Sequence, residues 1–183
     1  ESPVANLTVA PSQTPKAGSF DQGAFPMVAR AAYDEGGNFD FKNLCGVLAL
    51  RLTGSDRVKS ITFSGKNANG EYEYVSGTFM VEMGYDEIPT ISNGVQYSNY
   101  NPILEKVYKS VTLECDEPVV LSETVATPFY FVLPPATYET FTVIITTADG
   151  KTMVKEATKP LTIKRADVQP TANLAYVETV SID

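Results

Sequence analysis

The 183 residues include no histidine and no tryptophan, and only two cysteines. Without imidazole the chain cannot assemble a Ser-His-Asp or Cys-His nucleophile, an HExxH metal helix or any histidine-ligated metal. Two cysteines are too few for a thiolate zinc or iron–sulfur site. Carboxylate-pair hydrolysis, a Ser-Lys arrangement or no catalysis at all remain, and we expect neither an enzyme nor a cofactor. Basic residues are also scarce, 14 against 22 acids, for a formal net charge of -8. Such a field repels phosphate backbones and anionic lipid, so nucleic-acid and membrane-surface partners are not expected. No apolar run reaches about 18 residues, so no segment reads as a membrane-spanning helix.

What is present is a globular composition, 43% hydrophobic, long enough for one good core. One domain is expected, with two sandwiches of about 90 residues each left open. The chain begins at Glu1 without an initiator Met or an apolar leader. A removed signal segment, or a fragment of a longer protein, is therefore expected. Twelve prolines and twelve glycines punctuate segments of strand length, and no amphipathic helix stands out. The class this predicts is all-β, an antiparallel sandwich.

The organising stretch is residues 39–52, bounded by Gly36-Gly37-Asn38 and Thr53-Gly54-Ser55-Asp56. Phe39 and Phe41 share one parity, while Leu44, Leu48, Leu50 and Leu52 hold the other. Keeping both sets in one core predicts a β-bulge near Lys42-Asn43. Cys45, Val47 and Ala49 make the second face apolar too, the mark of a central strand. Cys45 and Cys115 are read either as buried free thiols or as one disulfide, which requires their Cβ atoms to face each other.

Around that stretch the remaining candidates are shorter. A first strand, residues 4–10, precedes a Pro/Ser-rich loop, so that residues 1–24 read as an N-terminal strand and linker and 25–183 as the sandwich domain. Strands are expected at 25–32, 58–64 and, after the Asn69-Gly70 turn, 72–83. Further strands are expected at 107–115, 119–121, 129–133 and 140–147. Asp149-Gly150 turns the last of these into 152–155, and 161–163 and 174–177 complete the set.

Residues 84–105 carry turn formers and three tyrosines. The expectation is a surface excursion with an internal hairpin at Asn93-Gly94, since loops this long often serve function. Tyr85, Asp86, Glu87, Tyr97, Asn99, Tyr100 and Asn101 form the candidate ligand-binding group, because flat aromatic faces beside planar polar side chains hold sugars. Asp34-Glu35-Gly36-Gly37-Asn38-Phe39-Asp40 resembles a calcium loop, but Cys45 stands at the twelfth position where a Glu is needed, so a solvated turn is expected. Glu114, Asp116 and Glu117 read as solvent-exposed like charges. No pair of carboxyls about 5 Å apart, as a retaining glycosidase needs, is visible locally.

Several motifs carry a family resemblance. They are Phe25-Pro26-Met27-Val28-Ala29, Phe41-Lys42-Asn43-Leu44-Cys45-Gly46-Val47-Leu48, the strand at 58–63, Leu133-Pro134-Pro135-Ala136-Thr137-Tyr138 and the segment 159–174. Together they resemble the fimbrillin-like surface proteins of Gram-negative gut anaerobes, over most of residues 25–177. The resemblance implies a transthyretin-like Greek-key antiparallel β-sandwich, exported to the cell surface in association with the outer membrane. It implies an adhesion or pilus-type module acting by strand addition or by docking to other surface or pilus modules. Host glycan or protein is a further implied partner, and a carbohydrate-binding module of a surface glycan-capture system is the alternative reading.

Overall fold

Alternating apolar and polar side chains make half-buried strands, and β-branched residues fit the pleat. In the computed structural model, which describes residues 4–31, 38–85, 87–92, 96–98, 101–103 and 107–179, these strands dominate. In chain order they are β1 (Val4–Val9), β2 (Ser12–Gln13), β3 (Met27–Val28), β4 (Lys42–Asn43), β5 (Gly46–Thr53) and β6 (Arg57–Lys66). Next come β7 (Ser76–Glu82), β8 (Thr90–Ser92), β9 (Gln96–Ser98), β10 (Asn101–Ile103), β11 (Val107–Tyr108) and β12 (Val111–Val120). The series ends with β13 (Thr127–Leu133), β14 (Ala136–Tyr138), β15 (Thr140–Thr147), β16 (Thr152–Ala157), β17 (Leu161–Ile163) and β18 (Val168–Ala175). No α-helix occurs among the described residues; one 3-10 turn spans Gln22–Ala24.

The protein is an all-β sandwich. One sheet runs β16-β15-β6-β12-β2, and a second, β13-β5-β18, faces it. Between them lies the main core: Leu48, Leu50 and Leu52 meet Ile61, Phe63, Leu113, Phe131, Val143 and Ile145. Phe63 anchors it, edge-on to Tyr138 and stacked on Phe141, an arrangement that adds to plain area burial. A third sheet, β1-β7-β11 with β8 also on β7, covers a smaller core of Val9, Ala24, Leu44, Cys45, Phe79, Val81 and Val132. β13 is therefore buried on both faces, Phe129, Phe131 and Leu133 in one core and Val132 in the other.

β5 is the expected central strand, paired with β13 on one side and β18 on the other. Its length differs from the expectation. Residues 39–52 are not one bulged strand: β4 ends at Asn43, Leu44 and Cys45 turn into the smaller core, and β5 starts at Gly46. Phe39 and Phe41 are each 62% exposed, 6.3 Å apart, and belong to neither core. β4 pairs with β3 rather than extending β5, so no bulge is needed to reconcile the two parities.

Gly46 permits the next crossing. A Cβ there would meet the Lys164 carbonyl oxygen and the Ile163 side chain, because the segment entering β18 passes directly over the start of β5. The Ala166 N–H bonds Cys45 O and the Val47 N–H bonds Asp167 O, both at 2.9 Å.

Other boundaries shift for the same long-range reasons. Of the 25–32 candidate, β3 is the strand among the described residues, and 107–115 divides at Lys109-Ser110 into β11 and β12, which serve different sheets. The return from the Asn69-Gly70 turn meets β6 at the Lys66–Tyr72 bridge and through the Glu73 N–H on Gly65 O before β7 joins β1. Among the described residues two pairings are parallel, β2 on β12 and β18 on β5, where antiparallel neighbours are expected throughout. The last strand is Val168–Ala175 rather than 174–177. Residues 4–24 lie within the same body, through β1 on β7, β2 on β12 and Val9 and Ala24 in the smaller core.

Candidate functional site

A sandwich of two sheets has two sides where edge strands face each other, and exposed edges are where another chain can add. On one side here, β2 and β12 face β13. Gln13, only 1% exposed, reaches from β2 across to the other sheet. Its amide accepts from the Val132 N–H at 2.9 Å and donates to Val132 O at 3.0 Å and to Ala10 O at 3.2 Å. One side chain thus reproduces the pair of bonds a neighbouring strand would make. At Val132 that side is sealed.

The opposite side, between β16 and β18, is open. A groove of about 430 Å³ separates them. Leu50, Phe141, Val143, Leu161 and Leu174 line it together with Lys155, Glu156 and Lys159. The volume lies in the roughly 300–1,000 Å³ range of ligand pockets, and the apolar floor between two strand edges suits an extended peptide with alternate apolar side chains.

The two edges differ in what they offer. β18 is interrupted by a register shift between Pro170 and Asn173. Pro170 has no N–H, and the Arg51 N–H donates to Thr171 Oγ1 at 3.1 Å. Prolines and bulges blunt an edge against further pairing. β16 pairs with β15 in regular register from Thr152 to Ala157. Successive residues aim their backbone groups to opposite sides of a strand, so Thr152, Val154 and Glu156 aim theirs away from β15.

The tyrosine-rich excursion contributes a different surface. Tyr85 is 56% exposed, but the Arg30 guanidinium lies 3.6 Å from its ring centroid and occupies one face. Arg30 also donates to Met83 O at 3.0 Å. The Glu87 residue is exposed, with its carboxylate folded over Gly84. Tyr97 lies in β9 opposite Pro102, and Asn101 in β10 opposite Ser98. Asp86, Asn99, Tyr100 and the Asn93-Gly94 turn lie outside the described residues. Sequence reasoning singled out neither the β16–β18 groove nor Gln13. The only local signal for Gln13 was a polar residue in a short extended segment.

Glu114, Asp116 and Glu117 are exposed. Asp40 pairs with Lys42 at 2.8 Å, and that ammonium holds its carboxyl below the usual range. Asp34, Glu35, Gly36 and Gly37 lie outside the described residues. Among the described residues no three His, Cys, Asp or Glu gather as metal ligands. Both cysteines are free and buried, Cys45 in the smaller core and Cys115 in the main one. Burial pushes the Cys45 thiol up to about 12. It also raises Cys115, with help from the Glu114 carboxylate. Neither has thiolate character for nucleophilic work.

Fold and groove define a class, an all-β sandwich closed at Val132 on one side and open along the β16–β18 groove on the other. No family model matches this chain, and no curated protein matches it.

Proposed function

We propose that this chain is a non-catalytic adhesion or pilus-type module of a cell surface, associated with the outer membrane. Its fold would be the transthyretin-like Greek-key sandwich its sequence resembles. It works by accepting an extended strand, or a docked neighbouring module, along the β16–β18 side. The observation that carries this reading is the apolar groove between two strand edges, one of them regular. The absence of histidine from the whole sequence supports a binding rather than a reacting protein.

Ala157→Trp tests it. Ala157 lies opposite Phe141 at the groove, so the larger side chain fills the space an incoming residue would take. Titration with a labelled Thr-Val-Thr-Val-Thr-Val-Thr peptide should show binding to the native chain and a loss of at least tenfold in the variant. Equal binding by both would reject the groove as the acceptor. The carbohydrate-binding alternative rests on the group Tyr85, Asp86, Glu87, Tyr97, Asn99, Tyr100 and Asn101, of which Tyr85 has one ring face covered by Arg30. Glycan-array binding lost in Tyr85→Ala is its expected signature.

A further inference from the structure

The C-terminal segment that follows β18 does not continue along β5. The Tyr176 N–H still bonds Thr53 O at 2.8 Å, and the chain then crosses to the other sheet. There the Val177 N–H reaches Met153 Sδ at 3.1 Å, and the Thr179 N–H bonds Thr152 O at 2.8 Å. The Val154 N–H donates to Thr179 Oγ1 at 2.9 Å, and Lys151 lies 3.7 Å from the Glu178 carboxylate. Residues 177–179 thus form a short clasp on the outer edge of β16, at the end away from the groove-lining residues Lys155, Glu156 and Ala157.

Length makes this clasp consequential. β16 has six residues, of which Thr152, Val154 and Glu156 aim their backbone groups outward. Thr179 already holds Thr152 O and the Val154 N–H, leaving the groove end of the edge for a newcomer. An added strand of ordinary length, about five or six residues, needs the groups that Thr179 occupies. β18 offers no substitute, since Pro170 and the register shift interrupt it.

We infer that residues 177–179 are an internal competitor for the β16 edge, released when a partner strand enters the groove and pairs along all of β16. The inference deepens the strand-accepting reading above and rests on it. A partner's affinity is then lowered by the bonds it must displace, and anything that draws the C-terminal segment away raises it.

The experiment uses the full chain and the Thr-Val-Thr-Val-Thr-Val-Thr peptide. Thr179→Val keeps the shape but removes the acceptor for Val154, and Thr179→Pro removes the donor to Thr152. Thr179 is exposed, so both are expected to fold. Each should bind the peptide about fivefold more tightly, the effect of one ordinary hydrogen bond no longer lost on binding. Hydrogen exchange on the native chain supplies the second readout. At peptide saturation the Glu156 amide should gain protection while the Thr179 amide loses it. Unchanged affinity in both variants, or a Thr179 amide that stays protected in the saturated complex, overturns the clasp and leaves the groove standing. Absence of peptide binding to the native chain and to both variants overturns the groove reading and this inference with it.

Discussion

The two sides of this sandwich solve the same physical problem in different ways. Where β12 and β2 face β13, the unpaired Val132 groups are met by the Gln13 amide in a site closed to water. Where β16 faces β18, apolar side chains border an open groove and the clasp at 177–179 holds only one end of the edge. A buried donor or acceptor without a partner costs its full desolvation, whereas an exposed edge is satisfied by water. The bonds at Val132 must therefore be complete. The open side can remain partial, and a partial edge is what strand addition requires.

Breaking the sealed side should have the largest effect. Gln13→Leu leaves both Val132 groups buried without a partner, and urea unfolding should show a loss of about 2–4 kcal/mol. Glu156→Ala on the open edge should stay within about 0.5 kcal/mol of the native chain. Equal losses from the two would erase the distinction between the sides.

An intermediate effect is expected at Gly46, where an added Cβ collides with the Lys164 carbonyl. Gly46→Ala should cost about 1–3 kcal/mol, the usual range for overpacking. Because the collision sits where the chain enters β18, hydrogen exchange should rise first in residues 168–175 and leave β13 protected. Faster exchange in β13 before β18 would show that the crossing supports the sealed side instead.

The smallest effect belongs to the β15–β16 turn at the end of the open side. The Thr147 hydroxyl donates to the exposed Asp149 carboxylate and is the main cause of its lowered pKa, with lesser help from Lys151. A lowered folded-state pKa contributes stability that is full above the ordinary value of 3.8 and is lost as pH falls through the folded value. The melting temperature of the native chain should drop slightly more between pH 5 and pH 2 than that of Asp149→Asn. Parallel profiles would remove Asp149 from the account.

Local chemistry made part of this legible. The Thr140–Thr147 strand, the Asp149-Gly150 turn and the return at Thr152 stand where alternation and turn residues predict them, with Gly150 at φ 83°, a conformation glycine adopts without strain. The apolar character of both faces of β5 announced a central strand, because a strand between two cores needs no polar face. Phe39 and Phe41 misled for an instructive reason. Their parity was sound as strand logic, but the chain turns at Leu44-Cys45 to fill a second core, and no local pattern records how many cores a chain divides into. The candidate site was less legible still. Tyr85 and Glu87 are exposed as a loop suggests, while the groove is made of residues from β5, β15, β16, β17 and β18 and the turn before β17.

By itself, the sequence determined the strand-rich class, the hairpin at Gly150 and the lack of imidazole chemistry, since composition, side-chain period and turn geometry act over a few residues. Only the tertiary structure decided which strands became neighbours, that Gln13 would close one side, and that the other would remain open. Those outcomes depend on groups far apart in the chain meeting at hydrogen-bond distance, as Gln13 and Val132 do across 119 positions.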